Sequence, residues 1–220
     1  MLGEEFLDEE YPSSFNMDEF KKISSYAGRV KYAELNLPKK IGSGSARTVF
    51  QIDGEKVLKI AKNKKGIAQN EQEESLGNDW YLKNVVAAVY DSAPDGEWIE
   101  MQLAQKISKP TFEKLTGVKI DDLNYYLRNA EQVNKGQKVL FGMDPQPKEK
   151  LDENDFVQSI VDFMMNYDIP AGDLGRLSSY GLVDGDKVVV IDYGLNQDVW
   201  NSHYATVRQE IRKIVSEIIK

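Results

Sequence analysis

The chain has 220 residues, of which 41% are hydrophobic, so it can bury a substantial core in one large domain or two small lobes. Its net charge of −8 argues against nonspecific binding to nucleic acid or to an anionic membrane. The absence of cysteine and the presence of a single histidine exclude disulfides, thiolate nucleophiles and metal sites built from cysteine or histidine clusters. Any bound metal is therefore expected to have oxygen ligands, as Mg²⁺ or Mn²⁺ has.

Two segments near the start of the chain differ in charge. The first 19 residues contain seven acidic side chains, whereas residues 31–65 contain nine basic side chains against three acidic ones. The start lacks the basic residues and apolar core of a secretory signal. No stretch approaches the roughly 18 apolar residues of a membrane span. We therefore expect a cytoplasmic protein that binds neither membrane nor nucleic acid.

The pattern of residues 39–62 is that of extended chain. Two apolar segments flank an Asp53-Gly54 turn and predict a hairpin. Residues 64–81 are rich in Gln, Glu, Ala and Leu and predict a helix. Residues 85–90 and 98–103 then predict two further strands around a Pro-Asp-Gly turn.

The second half of the chain has a more helical pattern. Helices are predicted over residues 111–135 and 153–165, a tight hairpin at 181–191, and a last helix over 203–219. The three tryptophans are predicted to lie in the core or between lobes. We expect an acidic N-terminal segment (1–30), an N-lobe (31–104) and a C-lobe (105–220).

Two aspartates stand where a catalytic or metal-binding carboxylate is expected. The β-branched run 188–191 predicts a buried strand that delivers Asp192 to the rim of a sheet, just before Tyr193 and Gly194. Asp173 precedes Asp192 by nineteen residues and also follows an apolar segment. Two carboxylates at such positions indicate a site for a divalent metal and phosphate.

The segment Gly42-Ser43-Gly44 lies between two predicted strands. Paired glycines let a backbone present its N–H groups to a phosphate, although an ordinary flexible turn has the same composition. A dinucleotide-binding loop does not fit, because these glycines lead into a strand, and a P-loop does not fit, because no Gly-Lys-Ser/Thr follows. The interpretation that remains for these glycines is a loop that covers phosphates.

Lys59 stands in the middle of an apolar strand. Either strand alternation places it on the exposed face, or it is buried with a partner. The helix that follows offers Glu71, Glu73 and Glu74 as partners, and the pattern alone does not choose among them.

These residues, taken in order, resemble the protein kinase-like superfamily, whose members carry Gly-x-Gly-x-x-Gly-x-Val, Val-Ala-Ile-Lys, His-Arg-Asp and Asp-Phe-Gly. The resemblance covers residues 41–195. It implies a bilobal α+β fold with an antiparallel-sheet N-lobe and a reduced, mostly helical C-lobe. It also implies ATP and Mg²⁺ or Mn²⁺ as ligands. The residues that it assigns to nucleotide binding are Gly42, Ser43, Gly44, Val49, Lys59, Glu73, Met101, Leu103 and Ala104.

The resemblance also implies a role for each of these parts. Lys59 holds the α- and β-phosphates, Glu73 orients Lys59, and residues 101–104 form the hinge whose backbone hydrogen-bonds adenine. Asp173 is the catalytic base or orients the acceptor hydroxyl. Asp192 binds the metal between the β- and γ-phosphates.

The chain departs from the family pattern at several positions. Arg47 replaces the third glycine of the loop and is expected chiefly to shape that loop. The Ala-Gly-Asp segment at Asp173 looks closer to the His-Gly-Asp of aminoglycoside and other small-molecule kinases. Ser178 stands where the second metal ligand is expected, or Tyr180 if the loop is longer. Only 26 residues follow Gly194, without an Ala-Pro-Glu motif, so the usual peptide-docking segment is not expected.

We therefore expect a phosphotransferase that uses ATP and a divalent metal on an unidentified protein or small-molecule hydroxyl. The alternatives are a kinase-fold binding or regulatory protein without catalysis, and nucleotidyl transfer on the same fold. The Ser-Ser-Tyr-Gly stretch at residues 178–181 is similar to small kinase-like proteins of bacterial viruses, which implies the host cytoplasm as the location.

Overall fold

The computed structural model describes residues 11–137 and 145–203. An antiparallel five-stranded sheet fills the first half of this part of the chain, and a mostly helical region follows. The predicted fold class, an α+β protein with an antiparallel-sheet N-lobe and a reduced, mostly helical C-lobe, is confirmed. Within the described ranges, no helix has the length and apolar character needed to cross a membrane.

Two helices precede the sheet, α1 (Met17–Lys21) and α2 (Tyr26–Asn36). Each begins at a polar cap: the Asn16 side chain accepts from the Glu19 N–H, and the Ser25 side chain accepts from the Gly28 N–H. The proline at position 38 ends α2, because the residue before a proline is restricted to extended backbone.

The sheet has the strand order β1-β2-β3-β5-β4, and all neighbouring strands are antiparallel. The predicted Asp53-Gly54 turn joins β2 to β3, and the Asp53 carboxylate accepts from the N–H groups of Glu55 and Lys56. The strands are β1 (Lys39–Ser43), β2 (Arg47–Gln51), β3 (Lys56–Ala61), β4 (Val89–Ser92) and β5 (Trp98–Gln102).

The two faces of the sheet pack against different partners. Leu58 and Ile60 of β3 face the N-terminal helices and join an apolar cluster with Phe20 and Trp98. Val57, on the other face of β3, joins the core of the C-terminal half. Residues 11–36, which overlap the predicted acidic N-terminal segment (1–30), thus cover the outer face of the sheet.

Helix α3 (Lys64–Gly77) follows β3 and begins at Asn63, whose side chain accepts from the Lys65 and Gly66 N–H groups. Gly66 permits close packing on the sheet, because a Cβ there would lie 2.2 Å from the Ala46 carbonyl oxygen. The helix ends before a short 3-10 turn, Trp80–Leu82. The prediction that all tryptophans are buried is wrong for Trp80, which is 75% exposed.

The C-terminal half is helical around a small sheet of order β6-β7-β8. The helix predicted over residues 111–135 is in fact two helices, because Gly117 takes the left-handed conformation and ends the first. The elements are β6 (Gln105–Lys106), α4 (Lys109–Thr116), α5 (Ile120–Asn134), α6 (Pro145–Asp152), α7 (Asp155–Asn166), α8 (Ala171–Leu174), β7 (Tyr180–Val183), β8 (Lys187–Val190) and α9 (Gln197–His203). The last predicted helix (203–219) lies outside the described residues except for His203, where α9 ends.

The cover on the outer face of the sheet should be essential for stability. Phe20 is fully buried there and its ring centroid lies 6.0 Å from that of Trp98. Phe20→Ala should lower the free energy of unfolding by about 3–5 kcal/mol, the usual cost of removing a buried phenylalanine. Urea denaturation measures the change. Leu35→Ala is the matched control, because Leu35 is 74% exposed on α2 and should change stability by less than about 0.5 kcal/mol. Equal effects of the two variants would contradict a packed N-terminal cover.

Candidate functional site

A cleft of about 420 Å³ lies between the inner face of the sheet and the C-terminal half. Most of the residues predicted for nucleotide and metal binding line it, although they come from distant parts of the sequence. Those that do are Gly42, Gly44, Val49, Lys59, Met101, Leu103, Ala104, Ser178 and Asp192.

Three predicted site residues stand outside that lining. The hydroxyl of Ser43 accepts a hydrogen bond of 2.7 Å from Lys62 Nζ. Glu73 lies behind Lys59, fully buried. Asp173 lies on the short helix α8 and interacts electrostatically with Asp192.

The glycine loop is anchored to the end of β3. Gly44 donates its N–H to the Arg47 carbonyl oxygen at 2.9 Å, which closes the loop on itself. Lys62 Nζ donates to the Gly44 carbonyl oxygen at 2.7 Å, and the Lys62 N–H donates to the Ala46 carbonyl oxygen. Lysine 62, which the sequence showed only as part of a basic run, thus fixes the loop over the cleft.

Lys59 is buried, at 7% exposure, and has two partners. Its Nζ donates to Glu73 Oε2 at 2.8 Å and to the Ile191 carbonyl oxygen at 2.9 Å. Of the other glutamates on α3, Glu71 is exposed and Glu74 accepts from the Ser92 hydroxyl. The structure therefore selects one of the three glutamates that the sequence left open.

The Glu73 carboxylate accepts hydrogen bonds from three parts of the protein. Besides Lys59, the Arg47 guanidinium donates to both of its oxygens, at 2.5 and 3.0 Å. The backbone N–H groups of Tyr193 and Gly194 donate to Oε1 at 3.3 and 3.2 Å. One buried side chain thus joins β2, β3 and the segment after Asp192.

Burial alone shifts the pKa values of Lys59 and Glu73 in opposite directions. Burial by itself would raise the pKa of Glu73, but the charges and hydrogen bonds of Arg47 and Lys59 outweigh it and lower that pKa below its ordinary value. Burial lowers the pKa of Lys59, and the nearby charge of Arg47 adds to this effect while Glu73 opposes it. Glu73 is therefore an anion that both cations share.

The expectation that Arg47 chiefly shapes the glycine loop is wrong. Arg47 begins β2, is only 8% exposed, and directs its side chain into the site. Besides Glu73, it contacts Asn70 and donates from Nη2 to Asp192 Oδ1 at 2.8 Å. Its position in a glycine motif obscured this role, and only the register of β2 against β3 reveals it.

Asp192 lies at the open side of the cleft, with 67% of its side chain exposed. The strand before it is fixed on both edges: the Ile191 N–H donates to the Ser179 carbonyl oxygen at 2.8 Å, and the Val190 N–H donates to the Val85 carbonyl oxygen. A rigid backbone thus presents a carboxylate that remains accessible.

Asp173 is held beside Asp192 by the loop that follows α8. The Ser179 hydroxyl donates to the Asp173 carbonyl oxygen at 2.6 Å, and Arg176 Nη1 lies 3.2 Å from its carboxylate. Burial raises the pKa of Asp173, and the charge of Asp192 adds to this rise, whereas Arg176 lowers it. The net shift is upward.

The donor set at the cleft fits a metal that arrives together with phosphates. Mg²⁺ commonly takes one or two protein carboxylates and completes its coordination with phosphate oxygens and water. Asp192 supplies such a carboxylate, and Ser178 is exposed on the cleft wall. Tyr180 is not available, because its buried hydroxyl donates to the Leu174 carbonyl oxygen. No group of three or more metal-ligating His, Cys, Asp or Glu occurs among residues 11–137 and 145–203.

The predicted hinge forms the inner wall of the cleft. Met101 is buried on β5, and Leu103 and Ala104 follow it. The Leu103 N–H already donates to the Glu55 carbonyl oxygen at 2.6 Å. A base in the cleft would therefore use other backbone groups of the hinge.

The comparisons with known proteins show a similarity in structure alone. No protein-family model and no curated sequence matches the chain. The chain is similar to APH(2'')-IIa in its ternary complex with streptomycin and ATP, at 14% identity and a TM-score of 0.34, over 78% of this chain and 71% of that one. It is similar to the ADP-bound aminoglycoside phosphotransferase APH(2'')-Ib at 13% identity and a TM-score of 0.38, over 78% and 71% of the two chains. It is also similar to SAICAR synthase from Saccharomyces cerevisiae complexed with SAICAR, at 12% identity and a TM-score of 0.38, over 74% of each chain.

Because two cations share Glu73, replacing it should destabilise the protein more than replacing another glutamate of α3. Glu73→Gln leaves two buried cations without their carboxylate and should lower the free energy of unfolding by roughly 3–5 kcal/mol. Because the pKa of Glu73 is lowered in the fold, this contribution is present above the ordinary carboxyl pKa and is lost as the pH falls through the folded value. Urea denaturation at neutral and acidic pH measures it. Glu71→Gln, on the exposed side of α3, is the control, and an equal loss in both variants would contradict the shared-anion arrangement.

Asp173 should titrate above the ordinary range of an aspartate. Burial raises its pKa and Arg176 lowers it, so Arg176→Ala should move the titration to still higher pH. The carboxyl carbon of Asp173, followed by NMR against pH, measures both effects. Lys187→Ala, which removes a charge at the other end of β8, should leave the titration in place. A fall of the Asp173 pKa in Arg176→Ala would contradict the lowering of that pKa by Arg176.

Proposed function

We propose that this protein is a kinase-like phosphotransferase that binds ATP with a divalent metal and transfers phosphate to a hydroxyl acceptor. The observation that carries the proposal is the buried Lys59–Glu73 pair at the back of a cleft. An exposed Asp192 lies at its open side with Asp173 beside it. Phosphoryl transfer depends mainly on positioning and charge neutralisation, and these groups supply both.

The cleft offers separate contacts for the base and for the phosphates of a nucleotide. Val49, Val57 and Met101 give its inner part an apolar surface that suits an adenine ring. At the other end, Lys59 supplies an ammonium group that is fixed by Glu73 and the Ile191 carbonyl oxygen. Gly44 and its neighbours bring backbone close to the same region. ATP therefore fits with its base inward and its phosphates toward Asp192.

Asp192 is the residue that would hold the metal, with Ser178 as a further oxygen ligand. When bound, a divalent metal neutralises negative charge on the phosphates. The described part of the chain adds few carboxylates to this site, so most of the coordination would come from the nucleotide and water.

Asp173 is the group placed to receive the proton of the acceptor hydroxyl. Its raised pKa brings it closer to neutral pH than an ordinary aspartate, and a base is most effective when its pKa lies near the working pH. The raised pKa follows from burial, while Arg176 limits the rise.

One observation favours a second function, nucleotide binding without transfer. Arg47 pairs with Asp192 and neutralises the carboxylate on which metal binding would depend. If that pair persisted with nucleotide bound, the metal would lose its main protein ligand. The protein would then act as a regulatory protein that binds or releases its partners when a nucleotide binds.

Thermal shift and label transfer together test the proposal. Mg-ATP at about 100 times its dissociation constant should stabilise the protein by about 2.7 kcal/mol. With cell extract as the source of acceptor, label from the γ-phosphate should be transferred. Asp173→Ala should slow transfer by at least roughly 100-fold, and Asp192→Asn should abolish the metal-dependent reaction. Asp184→Asn, a change at an exposed turn, serves as the control and should retain activity.

The outcomes separate the alternatives. Absence of stabilisation by millimolar nucleotide would reject nucleotide binding as the function. Stabilisation without transfer would support the binding protein. Transfer of label from the α-phosphate instead of the γ-phosphate would identify nucleotidyl transfer.

A further inference from the structure

The guanidinium of Arg47 is a buried positive group on the cleft wall, and the phosphotransferase proposed above gives it no contact with the nucleotide. We propose that Arg47 is a second phosphate-binding cation of this site and that a nucleotide phosphate replaces Asp192 as the acceptor on its Nη2 atom. The proposal rests on the proposed function, because it requires a nucleotide in the cleft. It assigns a binding role to a residue that is absent from the motif pattern of the sequence.

The terminal nitrogens of Arg47 donate four hydrogen bonds to side chains around the cleft. Nη1 donates to Glu73 Oε2 at 2.5 Å and to Asn70 Oδ1 at 3.3 Å. Nη2 donates to Glu73 Oε1 at 3.0 Å and to Asp192 Oδ1 at 2.8 Å. Three of the four end on side chains of α3, and one ends at the cleft.

The partners of Arg47 differ sharply in burial. Asn70 and Glu73 are fully buried, and Asn70 is itself held by a 2.8 Å hydrogen bond to the Gly96 carbonyl oxygen. The Asp192 side chain, by contrast, is 67% exposed. Because the guanidinium is planar and fixed on three sides, its fourth N–H keeps its direction when Asp192 moves. The cleft thus contains a preoriented N–H donor. Its present acceptor, Asp192, is more exposed to solvent than Asn70 and Glu73.

Charge favours exchange of that acceptor. Arg47 and Lys59 share the single buried charge of Glu73, and Asp192 supplies the second negative charge. A polyphosphate in the cleft would repel the Asp192 carboxylate and attract the Arg47 guanidinium. A phosphate oxygen accepts from a guanidinium as well as a carboxylate does. The N–H that Asp192 leaves therefore gains an acceptor of the same chemistry.

Comparing ATP with adenosine isolates the phosphate contact. In calorimetric titrations with Mg²⁺ present, Arg47→Met should weaken ATP binding by roughly tenfold or more and change adenosine binding by less than about twofold. A general distortion of the cleft would weaken both ligands alike. An effect that acts only through Glu73 and Lys59 would also spare adenosine, and the comparison in the Asp192→Asn background separates it from a direct contact. Arg29→Met is the matched control, because Arg29 forms the other buried arginine–glutamate pair of the N-lobe, with Glu97, on the outer face of the sheet. It should leave the ratio of the two affinities unchanged.

A conservative variant covers the case in which Arg47→Met does not fold. Arg47→Lys keeps the charge but has a single nitrogen, which cannot hold both Glu73 oxygens and a phosphate together. We expect it to bind ATP more weakly than the native protein and adenosine equally well. Circular dichroism and the melting temperature establish that each variant is folded.

Binding without metal tests the exchange at Asp192 directly. In EDTA, native Arg47 is divided between Asp192 and the phosphates, whereas in Asp192→Asn the charged competitor of the phosphates is gone. The loss of ATP affinity caused by Arg47→Met should therefore be greater in the Asp192→Asn background than in the native background. A long-range charge effect alone would give the same loss in both.

Each outcome bears on the proposal. An equal loss of ATP and adenosine affinity in Arg47→Met, or equal losses in the two backgrounds, would overturn it and assign Arg47 to holding Glu73. A native protein that binds no ATP would instead reject the proposed function. The two failures are therefore distinguishable.

Discussion

The Glu73 carboxylate is the interaction on which the rest of the site depends. Burial of a carboxylate is costly unless hydrogen bonds and opposite charges offset it. Here Arg47 comes from β2, Lys59 comes from β3, and two backbone N–H groups follow Asp192. This one side chain therefore links the start of β2, the central strand and the segment after Asp192.

The same arrangement determines the electrostatics of the cleft. Two buried cations share one buried anion, and the remaining positive charge faces Asp192 at the open side. Such a surface is suited to a ligand that carries negative charge and can replace or coordinate that aspartate. With Asp192 counted, the two cations and the two anions of this group balance.

The two faces of the sheet have different roles: the outer face contributes to stability, and the inner face forms part of the cleft. Its outer face is apolar and is covered by the N-terminal helices through Phe20 and Trp98. Its inner face carries Lys59 and lies against α3 and the cleft. Strand alternation makes this division possible, because successive residues of β3 point to opposite faces. The N-terminal helices α1 and α2 thus contribute to the packing of the sheet.

The sequence by itself predicted both hairpins, a strand after residue 98 and the helices that correspond to α3 and α7, because alternation, turn residues and helical spacing are local properties. The order of its motifs named most residues of the cleft, but the sequence did not predict α1, α2, α6 or α8. It left open which glutamate meets Lys59 and misjudged Arg47, since both depend on the register of β2 and β3 and on how α3 packs. Gly66 allows α3 to approach the sheet closely, and that approach brings Glu73 and Asn70 to the arginine. Only the tertiary structure decided these contacts, because they join residues up to 145 positions apart in the chain.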